Sequence, residues 1–390
     1  MICMGSQQAA VGNRQFPAEG KRFTTVKKQN YCIELFRFLF ALCIMNFHFY
    51  HVFESKPDFF FQQGRIGVEF FFLVSGYLMA ASAAKMWSEE TDKNIGKTAI
   101  RFVLKKARAV IVPVYLAWVI SFITIHVIEG QTAAVTWLTD GFHSIFELLF
   151  LRSTGLSGYY IVGQTWYISS MLLAMLICYP LLLKFKKTYL YCVAPLAALL
   201  ILGFLSHEYN GLGNTTAFVG VVYKHFLRGI GVINLGVVCY AVANWLKKFQ
   251  FTGFGLAVLS LLEIACYLGA LFYMNWYGLP NQDFYVCLIM AIGVAITFAQ
   301  RTWLNRLCDL FPAICRFLGK ASLYVYLSHV LICRRIVPIL NATFYSGWKI
   351  YCLGIAIIAG FTALLWILSF LVERYLLAFF KRILVKKVNV

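Results

Sequence analysis

The stretch IELFRFLFALCIMNFHFYH at residues 33–51, followed after a short break by GRIGVEFFFLVSGYL at 64–78, decides the fold. Apart from Glu34, Arg37, Asn46, His48 and His51, the first piece is apolar from end to end. A helix of about 20 such residues crosses a hydrocarbon core of roughly 30 Å, because each backbone N–H and C=O must find its partner inside the same helix when no water is present. The second piece repeats the pattern with one acidic residue, Glu69, near its start.

Working outward, the same reading places spans near 32–53, 66–84, 109–128, 165–183, 189–205, 219–245, 252–274, 283–300, 317–333 and 350–373. Over 390 residues the chain is 61% hydrophobic and 13% charged, with a mean hydropathy of +0.73. Soluble domains hold about 45–50% apolar and about 25% charged residues. The expected architecture is therefore an all-α, polytopic transmembrane helix bundle of about ten spans. A single membrane domain over residues 32–378 is expected between a basic segment, 1–31, and a basic tail, 379–390.

The formal net charge of +19 raises nucleic acid as a partner, but topology accounts for it better. If the N-terminus lies inside, 25 of the 35 Lys and Arg residues fall in cytoplasmic segments. The outer loops keep only Lys56, Arg65, Arg152, Arg334, Arg335 and Lys349. This positive-inside bias puts both termini in the cytoplasm, and no nucleic acid partner is expected. Residues 1–31 are polar and basic and lack the layout of a cleavable signal peptide, so the first span is expected to stay in place. The twelve cysteines are scattered without a CxxC pair, which argues against a disulfide framework or a zinc site and for thiols used in packing; no metal is called for.

Connections are short except for a charged cytoplasmic loop at 85–108 and an outer segment at 129–164. The outer segment contains the amphipathic piece FHSIFELLFLRS (142–153) and the glycine-rich STGLSGYYIVG (153–163). No internal repeat of the transporter type is evident.

Ionisable groups inside a bilayer cost several kcal/mol and mark sites or pathways. Here they are Glu34, Arg37, His48, His51, Glu69, Arg228, Glu263, Lys320 and His329. Arg37 and His48 are eleven residues apart, which puts them on one helix face about 16 Å apart along the axis. Depth counted from the cytoplasmic ends sorts the groups into two layers. Arg37 and Lys320 form a cationic inner layer suited to an anionic head group. His48, Glu69 and His329 form an outer layer suited to general-base chemistry. Plainer readings stand beside these: Glu34 and Arg37 at i, i+3 can simply pair, Arg37 can snorkel, and His48 or His51 can be a hydrogen-bonded structural histidine. Ser75-Gly76 reads more readily as a close helix contact than as a nucleophile. Glu263 shows no evident partner, Lys224 and Arg228 read as outer-surface residues, and Trp166 and Tyr167 fit an interfacial aromatic belt.

The two opening helices resemble the start of the acyltransferase-3 family of membrane O-acyltransferases, whose mark is Arg-x10-His in the first helix, here Arg37 and His48. Glu34 stands where the family often has Asp, and Gly67 to Gly76 match its Gly-Val-acidic-x-Phe-Phe-x-x-Ser-Gly pattern. QTWYISSML (164–172), FLRGIGVINLG (226–236) and LGKASLYVYLSHV (318–330) follow in the family's order, so the resemblance covers about residues 30–375. The Trp segment lacks a following acidic residue, which puts Trp166 and Tyr167 in doubt as site residues. No fused hydrolase-like domain is present, so transfer would be completed within the membrane domain.

The resemblance implies an O-acetyltransferase in a bacterial cytoplasmic membrane that takes acetyl-CoA or another acyl-CoA as donor. The implied acceptor is a hydroxyl of a surface polysaccharide, lipid-linked glycan or glycolipid, an envelope modification. It implies His48 and Glu69 as the catalytic pair, with Arg37 and Lys320 on the CoA phosphates. His329, Ser75 and Glu34 are supporting residues, and Ser75 or His48 could carry an acyl-enzyme. The alternative reading is a multi-span transporter or flippase, with the buried charges as a translocation path.

Overall fold

The computed structural model describes residues 29–50, 60–87, 94–213, 216–276, 280–343 and 347–376. His51 and both charged termini lie outside the described residues. Fifteen helices follow one another in the described chain. In order they are α1 (Tyr31–Tyr50), α2 (Gly67–Met86), α3 (Ile95–Arg108), α4 (Ile111–Ile128), α5 (Ala134–His143), α6 (Ile145–Leu148), α7 (Thr165–Thr188) and α8 (Ala194–Glu208). After a two-residue hairpin of β1 (Phe218–Val219) and β2 (Val222–Tyr223) come α9 (Lys224–Leu246), α10 (Gly253–Asn275), α11 (Asp283–Ala299), α12 (Trp303–Leu310), α13 (Pro312–Leu331), α14 (Val337–Thr343) and α15 (Gly347–Leu371). The hairpin pairs Phe218 with Tyr223 in antiparallel register.

The all-α polytopic reading holds. Among the described residues eight helical stretches are long and apolar enough to cross a membrane, or nine if α11 and α12, bent by 63° across a short break, count as one. The sequence spacing predicts about ten, and the difference has two sources. Residues Thr165–Glu208 run on through a π-helical turn as one 44-residue stretch. At 1.5 Å per residue this is about 66 Å, enough for two crossings, and it breaks at Lys186, whose φ is 44°. α11, at 17 residues, is short for a span on its own.

Two connections differ from expectation. The charged segment at 85–108 is not an open loop: residues 95–108 form the amphipathic α3, with Lys105, Lys106 and Arg108 in its last turn, where cations complement the helix dipole. The span expected from 219 begins at Lys224, because residues 218–223 turn back as the hairpin. The eleven described cysteines are free thiols, nine of them buried.

Two helix contacts set the frame. α2 crosses α9 where Gly76 meets the backbone of Ile233 and Gly236; a Cβ on Gly76 would overlap the Ile233 carbonyl, and one on Gly236 would overlap that of Leu73. The small-residue reading of Ser75-Gly76 thus describes Gly76 well. α1 packs along α13, and α1 also stacks Phe36 on Tyr267 of α10 and Phe40 on Phe70 of α2, with ring centroids 3.7 and 4.5 Å apart.

Candidate active site

α1 and α13 run parallel and nearly in register. At their starting ends the Glu34 side chain lies against Gly319, so closely that a Cβ there would fall on its carboxylate. At their finishing ends the rings of His48 and His329 stand 5.0 Å apart. The N-termini of α2, α7 and α9 converge on that same end of the bundle and enclose a cavity of about 390 Å³, within the roughly 300–1,000 Å³ usual for small-molecule sites. Its wall carries His48, His329, Gln164, Trp166, Tyr326 and four arginines, Arg65, Arg152, Arg228 and Arg334.

The helix backbone orients His329. Its Nδ1 donates to the carbonyl of Val325 one turn back, at 3.2 Å, which leaves Nε2 as the lone-pair nitrogen of the neutral ring. His329 is fully buried, and Nε2 has no hydrogen-bond partner among the described residues. Gln164, at the entry to α7, is held the same way. Its amide Nε2 donates to the Leu327 carbonyl at 2.6 Å, its backbone carbonyl accepts from Tyr326 Oη at 3.0 Å, and its buried Oε1 is bare. A buried acceptor without a donor costs about 1–3 kcal/mol. Both residues line the cavity wall.

Glu69 is held by an arginine. Both its oxygens are taken by Arg228, Oε1 from Nε and Oε2 from Nη2 at 2.7 Å, and both side chains are buried. Glu69 therefore braces an arginine of the cavity wall. Arg228 and Lys224, expected on the outer surface, are 1% exposed. Arg228 also donates to the Leu212 carbonyl at 3.0 Å, and its guanidinium carbon lies 5.1 Å from the Trp166 ring centre.

The other three arginines reach the wall from loops and a π-helical turn. Arg65 makes two bonds to Asp283, at 2.8 and 3.3 Å. Arg152 donates to the carbonyls of Val162 and Gly163 and stacks on Tyr160 with 3.6 Å to the ring centre. Glu147 fixes this segment by accepting from the Ile161 and Val162 amides and the Thr165 hydroxyl, at 2.6 to 3.2 Å. Burial pushes the Glu147 carboxyl up and the Arg152 guanidinium down from their ordinary values, with each opposing the other's shift. Arg334 comes from the π-helical turn Ile332–Ile336.

The remaining expected residues lie elsewhere. Arg37 donates to Glu34 at 3.0 Å, the i, i+3 pair of the plainer reading, and stays one-third exposed, while Lys320 is exposed on α13 beside that contact. Ser75 sits between α2 and α7, 3.4 Å from Tyr167 Oη and donating to Met171 Sδ at 3.3 Å, away from the cavity wall. Glu263 accepts from the Thr297 hydroxyl. Among the described residues no group of three or more His, Cys, Asp or Glu side chains is placed to hold a metal ion.

Sequence reasoning assigned no site role to Arg65, Arg152, Arg228, Gln164 or Trp166. One signal was present: a chain that keeps its outer loops nearly free of cations nevertheless retains Arg65, Arg152 and Arg334 there.

A comparison with protein-family models matches residues 30–381 to an acyltransferase domain, the acyltransferase-3 model. A search of curated proteins gave no match, and neither did a search of solved structures. The matched region takes in both helices of the histidine pair and every arginine of the cavity, and the chain belongs to the acyltransferase-3 family of membrane acyltransferases.

Proposed function

We propose that this membrane acyltransferase moves an acyl group, acetyl in the simplest case, from acyl-CoA to a hydroxyl of a surface polysaccharide, lipid-linked glycan or glycolipid in a bacterial cytoplasmic membrane. The observation that carries the reading is the His48–His329 pair on the wall of a cavity, with the buried Nε2 of His329 left without a partner among the described residues.

His48 takes the proton of the acceptor hydroxyl as its oxygen attacks the thioester carbonyl carbon. The C–O bond forms, the C–S bond breaks, and the leaving CoA sulfur receives the proton from the His48 imidazolium. A sugar presents neighbouring hydroxyls, and His329 Nε2 and Gln164 Oε1 accept from those, which positions the attacking one. Glu69 acts through Arg228 and not on the imidazole.

The charge distribution of the chain puts the starting ends of α1 and α13 in the cytoplasm. There Arg37 and Lys320 hold the CoA phosphates, with Glu34 as the resting partner of Arg37. The distance of about 16 Å from Arg37 to His48 is of the order of an extended pantetheine arm, so the thioester reaches the histidines while the nucleotide stays outside the bundle.

The test uses purified protein in nanodiscs with labelled acetyl-CoA and a panel of glycans, read by mass spectrometry of the glycan. Label esterified to a glycan, with one CoA released per ester, is expected. No acyl-CoA binding or consumption with any glycan would overturn the reading.

A further inference from the structure

We infer that the cavity takes an anionic acceptor: the glycan bears a phosphate or carboxylate group that the wall arginines seat beside the histidines. This rests on the acyl-transfer reading above and names the substrate class of the same site.

Four arginines line the wall, Arg334 from an exposed position, and two carboxylates answer them, Asp283 on Arg65 and Glu69 on Arg228. Among the described residues neither Arg152 nor Arg334 has a carboxylate at ion-pair distance. Glu147, the acid nearest to Arg152, spends its oxygens on two backbone amides and a hydroxyl. The wall therefore carries more cationic than anionic side chains.

Arg152 makes the argument sharper because it is only 8% exposed. Taking a charge out of water is costly, and carbonyls, an aromatic face and the Glu147 carboxylate, which is not at ion-pair distance, offset part of that. An oxyanion in the cavity completes the offset. The positive ends of α2, α7 and α9 aim at the same space and add to its potential.

The bare acceptors refine the class. His329 Nε2 and Gln164 Oε1 each call for a hydrogen donated by the ligand, which a simple anion lacks and a hydroxylated one supplies. Trp166 and Tyr160 add flat apolar surface of the kind a sugar ring covers. A cavity of about 390 Å³ seats an acidic sugar, or a sugar with its linking phosphate, and not the nucleotide end of CoA together with an acceptor.

The experiment compares three acceptors in nanodiscs of zwitterionic lipid: a glucuronic-acid disaccharide, a prenyl-phosphate-linked glucose and the matching neutral disaccharide. The enzymes are wild type, Arg334→Gln and the surface control Arg335→Gln, whose side chain pairs with Glu129. At least one anionic acceptor should show a KM about tenfold or more below the neutral one, and which of the two does so separates carboxylate from phosphate. Arg334→Gln should bring that KM up to the neutral value, and Arg335→Gln should leave the preference in place.

Equal KM for all three acceptors overturns the inference and leaves acyl transfer standing. So does an Arg334→Gln variant that raises the KM of acyl-CoA in place of that of the acceptor. If no acceptor is acylated, tryptophan-fluorescence titration with the two anionic probes decides it. Binding weakened by Arg334→Gln keeps the anionic seat while the acyl-transfer reading fails, and no binding overturns both.

Discussion

His329, whose buried Nε2 has no partner among the described residues, lines the same cavity as His48, and the two ring centres lie 5.0 Å apart although the residues belong to α1 and α13. The parallel packing of α1 on α13 makes this meeting, and the proposed mechanism gives the two imidazoles different tasks. His329 is fixed by its own helix through Val325, while His48 is half-buried at the last turn of α1 and, in the proposed mechanism, carries the proton.

The two histidines should therefore fail differently. His48→Ala is expected to lower kcat by about 10²- to 10⁴-fold, the range of general-base catalysis, with little change in either KM. His329→Ala should mainly raise the KM of the acceptor. Steady-state kinetics with both substrates varied checks this, and a kcat collapse confined to His329→Ala would exchange the roles.

Breaking the Glu69–Arg228 pair from one side leaves a buried charge alone. Glu69→Leu should destabilise the protein by about 3–5 kcal/mol, whereas Glu69→Leu combined with Arg228→Met should recover much of the loss. Thermal unfolding in detergent reads the first effect and its recovery. Because Arg228 also lines the cavity, the double variant should fold yet bind acceptor poorly.

The donor end gives a separate signature. Arg37→Gln removes charge-assisted bonds worth about 1.5–3 kcal/mol each, so the KM of acyl-CoA should rise about 10- to 100-fold with the acceptor KM unmoved. Glu34→Gln frees Arg37 from its resting partner and should lower the acyl-CoA KM. Isothermal titration with a non-hydrolysable acyl-CoA analogue checks both.

At the α2–α9 crossing there is no room for a side chain on Gly76. Gly76→Ala should cost about 1–3 kcal/mol through overlap with the Ile233 carbonyl, and Gly76→Leu should block folding. Gly269 and Gly360 have open space where a Cβ would stand, and alanine there should be nearly neutral in the same unfolding assay.

Much of this was legible in the chain. Length and polarity of apolar runs follow directly from the thickness of a bilayer, so the helix bundle could be read from stretches such as 33–51. Depth along a helix follows from 1.5 Å per residue, so His48 and His329 could be assigned to one layer without knowing that α1 touches α13.

What could not be read was pairing across helices. Glu69 reads as a partner for His48 because both lie at similar depth, but depth leaves rotation and neighbour open, and Arg228, 159 residues away, takes both its oxygens. Arg228 reads as peripheral because it stands near the start of its helix, where Glu69, Leu212 and Trp166 surround it. Trp166 likewise fits an interfacial belt by position alone; the cavity beside it exists only once α2, α9 and α13 are in place.

The most direct test of His48-centred acyl transfer uses proteoliposomes loaded with labelled acetyl-CoA, with glycan acceptor outside, comparing wild type with a folded His48→Ala variant. The account predicts labelled ester on the external glycan with wild type and a loss of at least about 100-fold with His48→Ala. Label reaching the glycan at a near wild-type rate in the His48→Ala variant would contradict it.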